Sequence, residues 1–435
     1  MHQSITKLRV APDGRHLCRE DGTLFFYLAD TAWELFHRLD RSEAFLYLED
    51  RARKGFTVVQ ACVLAERDGL RRSNAYGRTA LKIDDTGRYN PLLWDEEGEY
   101  SYWAHVDAIV EKAGELGLYV AMLPAWNDKF EGTGGEGPHM FNAQNAGEYG
   151  RRIGARYKET PNIIWVMGGG CALTSRAQLN ALDAMARGIK KGDEGAHLMT
   201  LHPAQGAHSS HLVHNEDWLD FNMISSGHTR TRPVEKMIRR DYERHPYKPV
   251  LDAESAFEGC PDNFVIADGF LDDADVRRSA YRALFSGACG HAYGHHSVAA
   301  FARLPDKDKP RGYYALSWHD ALNAPGSAQM KHLRTLVESV AFEEGMPASG
   351  MADANPAGVN FVPVLKGVDW LLAYSAQGVA FDLCLDGAWE KAAGCWFNPR
   401  SGRTGESFPV RGGCAVCFTP PSAGRGSDWV LILRK

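Results

Sequence analysis

No stretch of the 435-residue chain approaches the ~18 consecutive apolar residues that a membrane-spanning helix requires, so no spanning segment is expected. Met1-His-Gln-Ser-Ile-Thr-Lys7 lacks the apolar h-region of a secretory signal, which makes the cytoplasm the expected location. Basic charge is not in excess: 49 Lys and Arg stand against 55 Asp and Glu, a formal charge of −6, with no basic run long enough to track a phosphate backbone. Nucleic acid and membrane are therefore not expected partners. The nine cysteines are odd in number and scattered, not spaced as a disulfide framework, which again favours a reducing compartment. Phosphate loops are missing too, since Gly168-Gly-Gly170 has neither a GKS/T tail nor GxGxxG spacing. A close backbone approach or a lost side chain explains that glycine run better. Cys414-Ala-Val-Cys417 is a lone CxxC without a second pair and reads as a strand. His291, His295 and His296 fall on an expected strand end, where i and i+4 do not share a face, and no companion acid follows at ligand spacing. No metal and no cofactor are expected.

What is present is a large core and a rhythm. With 44% hydrophobic and 24% charged residues, the chain has enough apolar surface for one big domain and a small one. Short apolar runs alternate with amphipathic stretches from residue 24 onward. The expected strands are Leu24 to Ala29, Thr57 to Val63, Tyr119 to Leu123, Ile163 to Met167, Leu198 to His202, Phe221 to Ser225, Val250 to Ala253 and Gly290 to Tyr293. Strands apolar throughout suit a sheet buried on both faces, and eight strand–helix units over roughly 300 residues fit a closed (β/α)8 TIM barrel, an α/β fold, over residues 1–345. After Gly345 the pattern changes to brief strands separated by turn residues, which predicts a small antiparallel β-sandwich over 351–435 with its Trp and Cys residues mainly in the core.

In such a barrel the reactive groups stand at the carboxyl ends of the strands. Those positions hold Asp30 and Trp33 after the first strand, Glu66 and Asp68 after the second, Trp126 and Asp128 after the third, His202 after the fifth, His228 after the sixth, Glu254 after the seventh, and His295 and His296 after the eighth. Acids, imidazoles and flat aromatic faces around one mouth suit a sugar, which offers hydroxyls to hydrogen-bond and C–H faces to stack. Any one of these residues is as readily a cap or a packing group; their co-location carries the reading. Glu254, ending Lys248-Pro-Val-Leu-Asp-Ala-Glu254, is the candidate nucleophile, with a structural ion pair as the plainer alternative and Glu258 as the substitute. Asp252, out of phase with Leu251 and Ala253, is expected to point into the barrel or pair with an arginine. A glycosidase also wants a second carboxyl to protonate the leaving oxygen. The corresponding run, Ile163-Ile-Trp-Val-Met-Gly-Gly-Gly170, ends in glycine.

Taken together, Leu28-Ala-Asp-Thr-Ala-Trp-Glu-Leu35, Leu123-Pro-Ala-Trp126, Asn162 to Gly169, His197-Leu-Met-Thr-Leu-His-Pro203, Ser226-Gly-His228, Lys248 to Glu258, Gly290-His-Ala-Tyr-Gly-His-His296 and, in the tail, Trp396-Phe-Asn-Pro399 and Asp428-Trp-Val430 resemble the apiosidase-like glycoside hydrolases with their C-terminal β-domain. The resemblance implies a retaining, exo-acting hydrolase of an oligosaccharide bearing a terminal β-linked, apiose-like furanosyl unit, with Glu254 as nucleophile. It also implies an aspartate acid/base where this chain has Gly170. Glycine cannot donate a proton, and general acid catalysis is commonly worth ~10² to 10⁴ in rate. The chain is then an impaired hydrolase, one whose proton comes from Asp128, Glu66 or Asp68, or a silent carbohydrate-binding pseudoenzyme. The sequence says nothing of oligomeric state.

Overall fold

The computed structural model describes residues 5–66, 69–304 and 313–435. Eight parallel strands form its centre: β1 Tyr27–Thr31, β2 Val58–Leu64, β3 Tyr119–Ala125, β4 Ile163–Gly168, β5 Met199–His202, β6 Asn222–Ile224, β7 Val250–Asp252 and β8 Gly290–Tyr293. Every residue of these strands is buried, as expected when one face fills a barrel and the other meets helices. Their order in the sheet is 5-4-3-2-1-8-7-6. The seam between β5 and β6 is stitched by the Thr200 hydroxyl donating to the Phe221 carbonyl (2.7 Å) and by Asp220 N–H donating to the Met199 carbonyl (2.8 Å). The fold is a (β/α)8 barrel.

Strand alternation sorts side chains between two apolar clusters. Tyr27, Ala29, Val58, Cys62, Ala121, Leu123, Ile164, Val166 and Leu251 fill the interior, continuous with Trp33 and Trp126 at the mouth. Leu28, Val59, Val120, Met122, Trp165 and Met167 face the helices. These are α1 Arg41–Arg53, α2 Tyr102–Glu115, α3 Ala143–Tyr157, α4 Arg176–Gly192, α5 Val234–Tyr242, α6 Asp273–Phe285 and α7 Pro325–Val337. Capping boxes begin α1, α3, α4 and α6, with Asp40, Asn142, Ser175 and Asp272 as caps. Helices α3 and α4 approach backbone to backbone through glycines: a Cβ on Gly188 would lie 2.1 Å from the Gly147 carbonyl oxygen, and one on Gly192 2.1 Å from that of Arg151.

Residues beyond the barrel form antiparallel sheets. The larger includes β9 Val364–Lys366, β10 Trp370–Ser375, β12 Ala393–Asn398 and β14 Trp429–Arg434; β11 Phe381–Leu385 pairs with β13 Cys414–Phe418. Alternation decides their packing as well. Leu371, Ala373, Leu431 and Leu433 join Leu383, Leu385 and Trp389 in a core of their own, whereas Leu372, Tyr374, Val430 and Ile432 belong to the barrel's cluster. The tryptophans are mostly buried, but Cys384, Cys414 and Cys417 are exposed, against expectation: Cys384 and Cys417 lie on the open outer face of the two-stranded sheet of β11 and β13, and Cys414 is the first residue of β13.

A buried charge cluster ties this domain to α6. Arg277 donates from Nε and Nη2 to Asp428 at 2.9 to 3.2 Å and from Nη1 to Gln329, and the Tyr374 hydroxyl donates to Asp428 at 3.2 Å. Removing one partner of such a pair strands a charge in low dielectric. Asp428→Asn is expected to lower unfolding stability by about 3 kcal/mol in denaturant titration; a change below about 0.5 kcal/mol would place the domain contact elsewhere.

Candidate active site

The carboxyl ends of the strands surround a cavity of about 700 Å³, a size ordinary for small ligands. Glu254, two residues past β7, lies in its wall and is 8% exposed. Its Oε2 accepts from the Ser225 hydroxyl at 3.2 Å and lies 3.9 Å from His202 Nε2, while its Oε1 lies 3.7 Å from His228 Nε2. Burial alone raises this carboxyl; the facing His228, together with His202 and the Ser225 hydroxyl, outweighs burial and lowers it to about 2. Glu254 is therefore ionised at neutral pH. His228 Nδ1 is 2.9 Å from the Ser255 carbonyl, which can only accept, so that nitrogen carries a proton and Nε2 is the one turned to the carboxylate.

The loop bearing Ser225 and His228 is fixed from below. Asp252 accepts from Ser226 N–H at 3.1 Å and from its hydroxyl at 2.6 Å, and Gly227 N–H donates to the Glu254 carbonyl at 2.8 Å. Asp252 has no arginine partner among the described residues; burial raises its carboxyl to about 6 despite the Ser226 bonds. His202, fully buried at the end of β5, stands edge-on to Trp33 at 5.3 Å and tilted against Trp126 at 6.1 Å, and burial lowers its imidazole below the usual range.

Trp33, Glu66, Trp126, Gly170, His228, Glu254 and His296 line the cavity. Asp30 does not. On β1 it alternates with the inward Tyr27 and Ala29, so it points to the helix layer, where it meets the Tyr47 hydroxyl (2.7 Å) and Arg51 Nε (3.1 Å). Asp128 is also withdrawn, fully buried in a turn after β3 with Lys129 Nζ at 2.6 Å and Gly137 N–H at 3.1 Å. His202 lies behind the wall, not in it. His295 caps the short helix His296–Ala299 with its side chain and is absent from the lining. Asp68 lies outside the described residues.

Glu258 turns away as well, accepting from the Tyr293 hydroxyl at 2.7 Å and from Gly326 N–H at 3.2 Å. Burial raises its carboxyl from 4.5 to about 7, the two hydrogen bonds opposing and Asp273 and Asp272 adding to the rise. A carboxyl that holds its proton more tightly when folded costs stability as pH rises. The penalty is absent below about 4.5, grows through the interval and saturates above about 7 at roughly 3 kcal/mol. Glu258→Gln keeps the acceptor and removes the charge, so its melting temperature is expected to match that of the parent at pH 4 and exceed it at pH 8. A gap independent of pH would dismiss this account.

Lining residues missed in the sequence include Glu34, Arg72, Glu136, Gln205, Phe257, Phe264 and Tyr314. Glu34 directly follows Trp33 in a motif already singled out, and that position was the available signal. At the end of β4, Gly168 and Gly169 hold φ of 91° and 150°, which L side chains rarely adopt. Gly170 does not, but a Cβ there would lie 2.9 Å from Trp126 Cζ2, and one on Gly169 2.7 Å from Trp126 Cδ2. The indole lies against this backbone, in the space that side chains would take.

A (β/α)8 barrel with an ionised carboxylate after its seventh strand, beside histidines and tryptophans in a cavity at the carboxyl ends of the strands, is the framework of a glycoside hydrolase. Residues 11–344 match the family described as "Apiosidase-like, catalytic domain", and the chain belongs to it. Residues 348–434 match the one described as "Putative collagen-binding domain of a collagenase". Among solved structures, one titled glycoside hydrolase is 31% identical, with a TM-score of 0.87 over 99% of this chain and 97% of that one. A glycoside hydrolase family 5 protein from Bacteroides vulgatus ATCC 8482 is 30% identical, also at 0.87, over 99% and 92%. A family 5 mannosidase from Rhizomucor miehei, 12% identical with a TM-score of 0.53 over 77% and 98%, shares the fold. No curated protein matches the chain.

Proposed function

We propose that this glycoside hydrolase releases a terminal β-linked furanosyl sugar, apiose-like, from an oligosaccharide, acting from the chain end with retention. The observation that carries the reading is the ionised Glu254 held in the cavity wall by Ser225 and faced by two imidazoles. Its oxygen bonds the anomeric carbon as the bond to the leaving oxygen breaks, and the electron pair departs with that oxygen. Water then attacks the same carbon, the bond to Glu254 breaks, the carboxylate is restored and the water's proton passes to solvent. The sugar and the exo mode rest on the family relationship. Because position 170 is glycine, the first step lacks its usual donor, and of the substitutes named from sequence only Glu66 lines the cavity among the described residues.

The test is turnover of 4-nitrophenyl β-D-apiofuranoside by the full chain, with and without azide. An activated leaving group needs little protonation. Azide needs no general base to attack the glycosyl-enzyme, so it is expected to raise turnover and give the β-configured glycosyl azide. A second reading, a binder that has lost catalysis, is favoured by Gly170 alone. Sugar binding without release of nitrophenol and without glycosyl azide would establish it.

A further inference from the structure

We propose that the cavity mouth carries a subsite for a planar aromatic aglycone, and that the preferred substrates are phenolic glycosides, in which the sugar is bonded directly to a phenol oxygen. The proposal rests on the reading of Glu254 as nucleophile. Rings from the loops after β6, β7 and β8 make a continuous wall. His228 lies against Phe257 (4.2 Å between centroids) and edge-on to Phe264 (5.1 Å, 88°); Phe264 is 6.2 Å from His296, which stacks on Tyr314 (4.8 Å, 29°). All five line the cavity. Trp33, Trp126, Phe257 and Tyr314 are at most 8% exposed, whereas Phe264 is 41% exposed. A sugar seated at Glu254 would therefore project its leaving group across Phe264, beside the exposed Val265 and Ile266.

The backbone is held in an unusual form to present that ring. Asn263 and Phe264 have φ of 52° and 61°, a left-handed conformation unfavourable for a bulky L residue. The turn is pinned by Asn263 N–H to the His228 carbonyl (2.6 Å), by Phe264 N–H to the Pro261 carbonyl (2.9 Å) and by Arg230, which reaches Asp262 and Asp275. Arg425 of the C-terminal domain donates to the same Asp275 (2.9 Å), so the accessory domain braces the turn.

The chemistry at the opposite wall selects the same substrate. With glycine at 170 and the Trp126 indole over that backbone, this wall offers no carboxyl donor, and the leaving oxygen departs carrying more negative charge than it would beside an aspartate. A phenol, with a pKa of about 10, bears that charge far better than an oxygen of pKa about 16, such as water's. Aromatic stacking and the missing donor thus favour one class of aglycone.

Two measurements on the full chain decide. The first is binding of free 4-methylumbelliferone, followed by tryptophan fluorescence. Phe264→Gly, which relieves the backbone while deleting the ring, is expected to weaken binding about tenfold, and Phe264→Tyr to leave it nearly unchanged. The second compares 4-methylumbelliferyl β-D-apiofuranoside with β-D-apiofuranosyl fluoride, whose leaving group needs neither a proton nor a stacking surface. Phe264→Gly is expected to lower kcat/KM about tenfold on the first and to leave the second unchanged. No binding of the free phenol, or binding indifferent to Phe264, overturns the subsite whatever the sugar. Equal losses on both substrates also overturn it, since they mark a merely structural turn. Ring-dependent binding with no turnover of either glycoside leaves the subsite standing and sinks the catalytic reading instead.

Discussion

Glu254→Gln is expected to lower kcat/KM for an aryl glycoside by about 10⁴ or more, because the amide keeps the shape and the Ser225 hydrogen bond but cannot form the bond to the anomeric carbon. The same substitution touches stability in a direction that pH reveals. Glu254 is lowered from 4.5 to about 2 in the folded chain. Its stabilising contribution is thus present above about 4.5 and lost as pH falls through about 2, amounting to at most roughly 3 kcal/mol because the buried His202 imidazole is uncharged at neutral pH. Melting curves of the variant and the parent are expected to differ at pH 7 and to converge towards pH 2.5. Retained activity would remove Glu254 from the reaction. Lost activity with no stability gap at pH 7 would leave its catalytic role intact but show that the imidazoles do not hold it ionised.

What was legible in the sequence follows from how local each signal is. The barrel was readable because eight runs apolar on both faces admit few architectures. The placement of Glu254, His228, Trp33 and Trp126 around one mouth was readable because all of them follow strand ends. Asp30 was misplaced by one step of strand alternation: the strand runs to Thr31, two residues further than expected, so Asp30 is still within it and faces α1. Asp128 and Glu258 follow their strands as closely as the lining residues do, yet Lys129 and Tyr293 draw them inward, and such pairings depend on tertiary geometry. Phe264 gave no sequence signal, because its place depends on a left-handed turn braced by Arg230 from another loop.

Gly170→Asp tests the remaining piece of chemistry. The backbone at 170 is not in the left-handed region, so an aspartate is conformationally admissible, unlike at 168 or 169. Its Cβ would, however, start 2.9 Å from Trp126 Cζ2, and that indole is itself held against Trp33 at 5.3 Å and His202 at 6.1 Å. The ring must yield, and overpacking of this kind costs about 1 to 3 kcal/mol of stability. Against that loss stands a proton donor worth about 10² to 10⁴ in rate. The donor is the larger effect for poor leaving groups, so Gly170→Asp is expected to melt lower than the parent while hydrolysing an unactivated alkyl glycoside about 10² faster. For 4-nitrophenyl glycosides, which leave without help, the gain should be much smaller, and the dependence of rate on leaving-group pKa should flatten. Trp126→Phe in the same chain relieves the contact and should recover the melting temperature with the alkyl-glycoside gain retained. If both variants fold and neither distinguishes alkyl from aryl glycosides, the proton comes from another wall of the cavity, and Glu66 becomes the residue to replace.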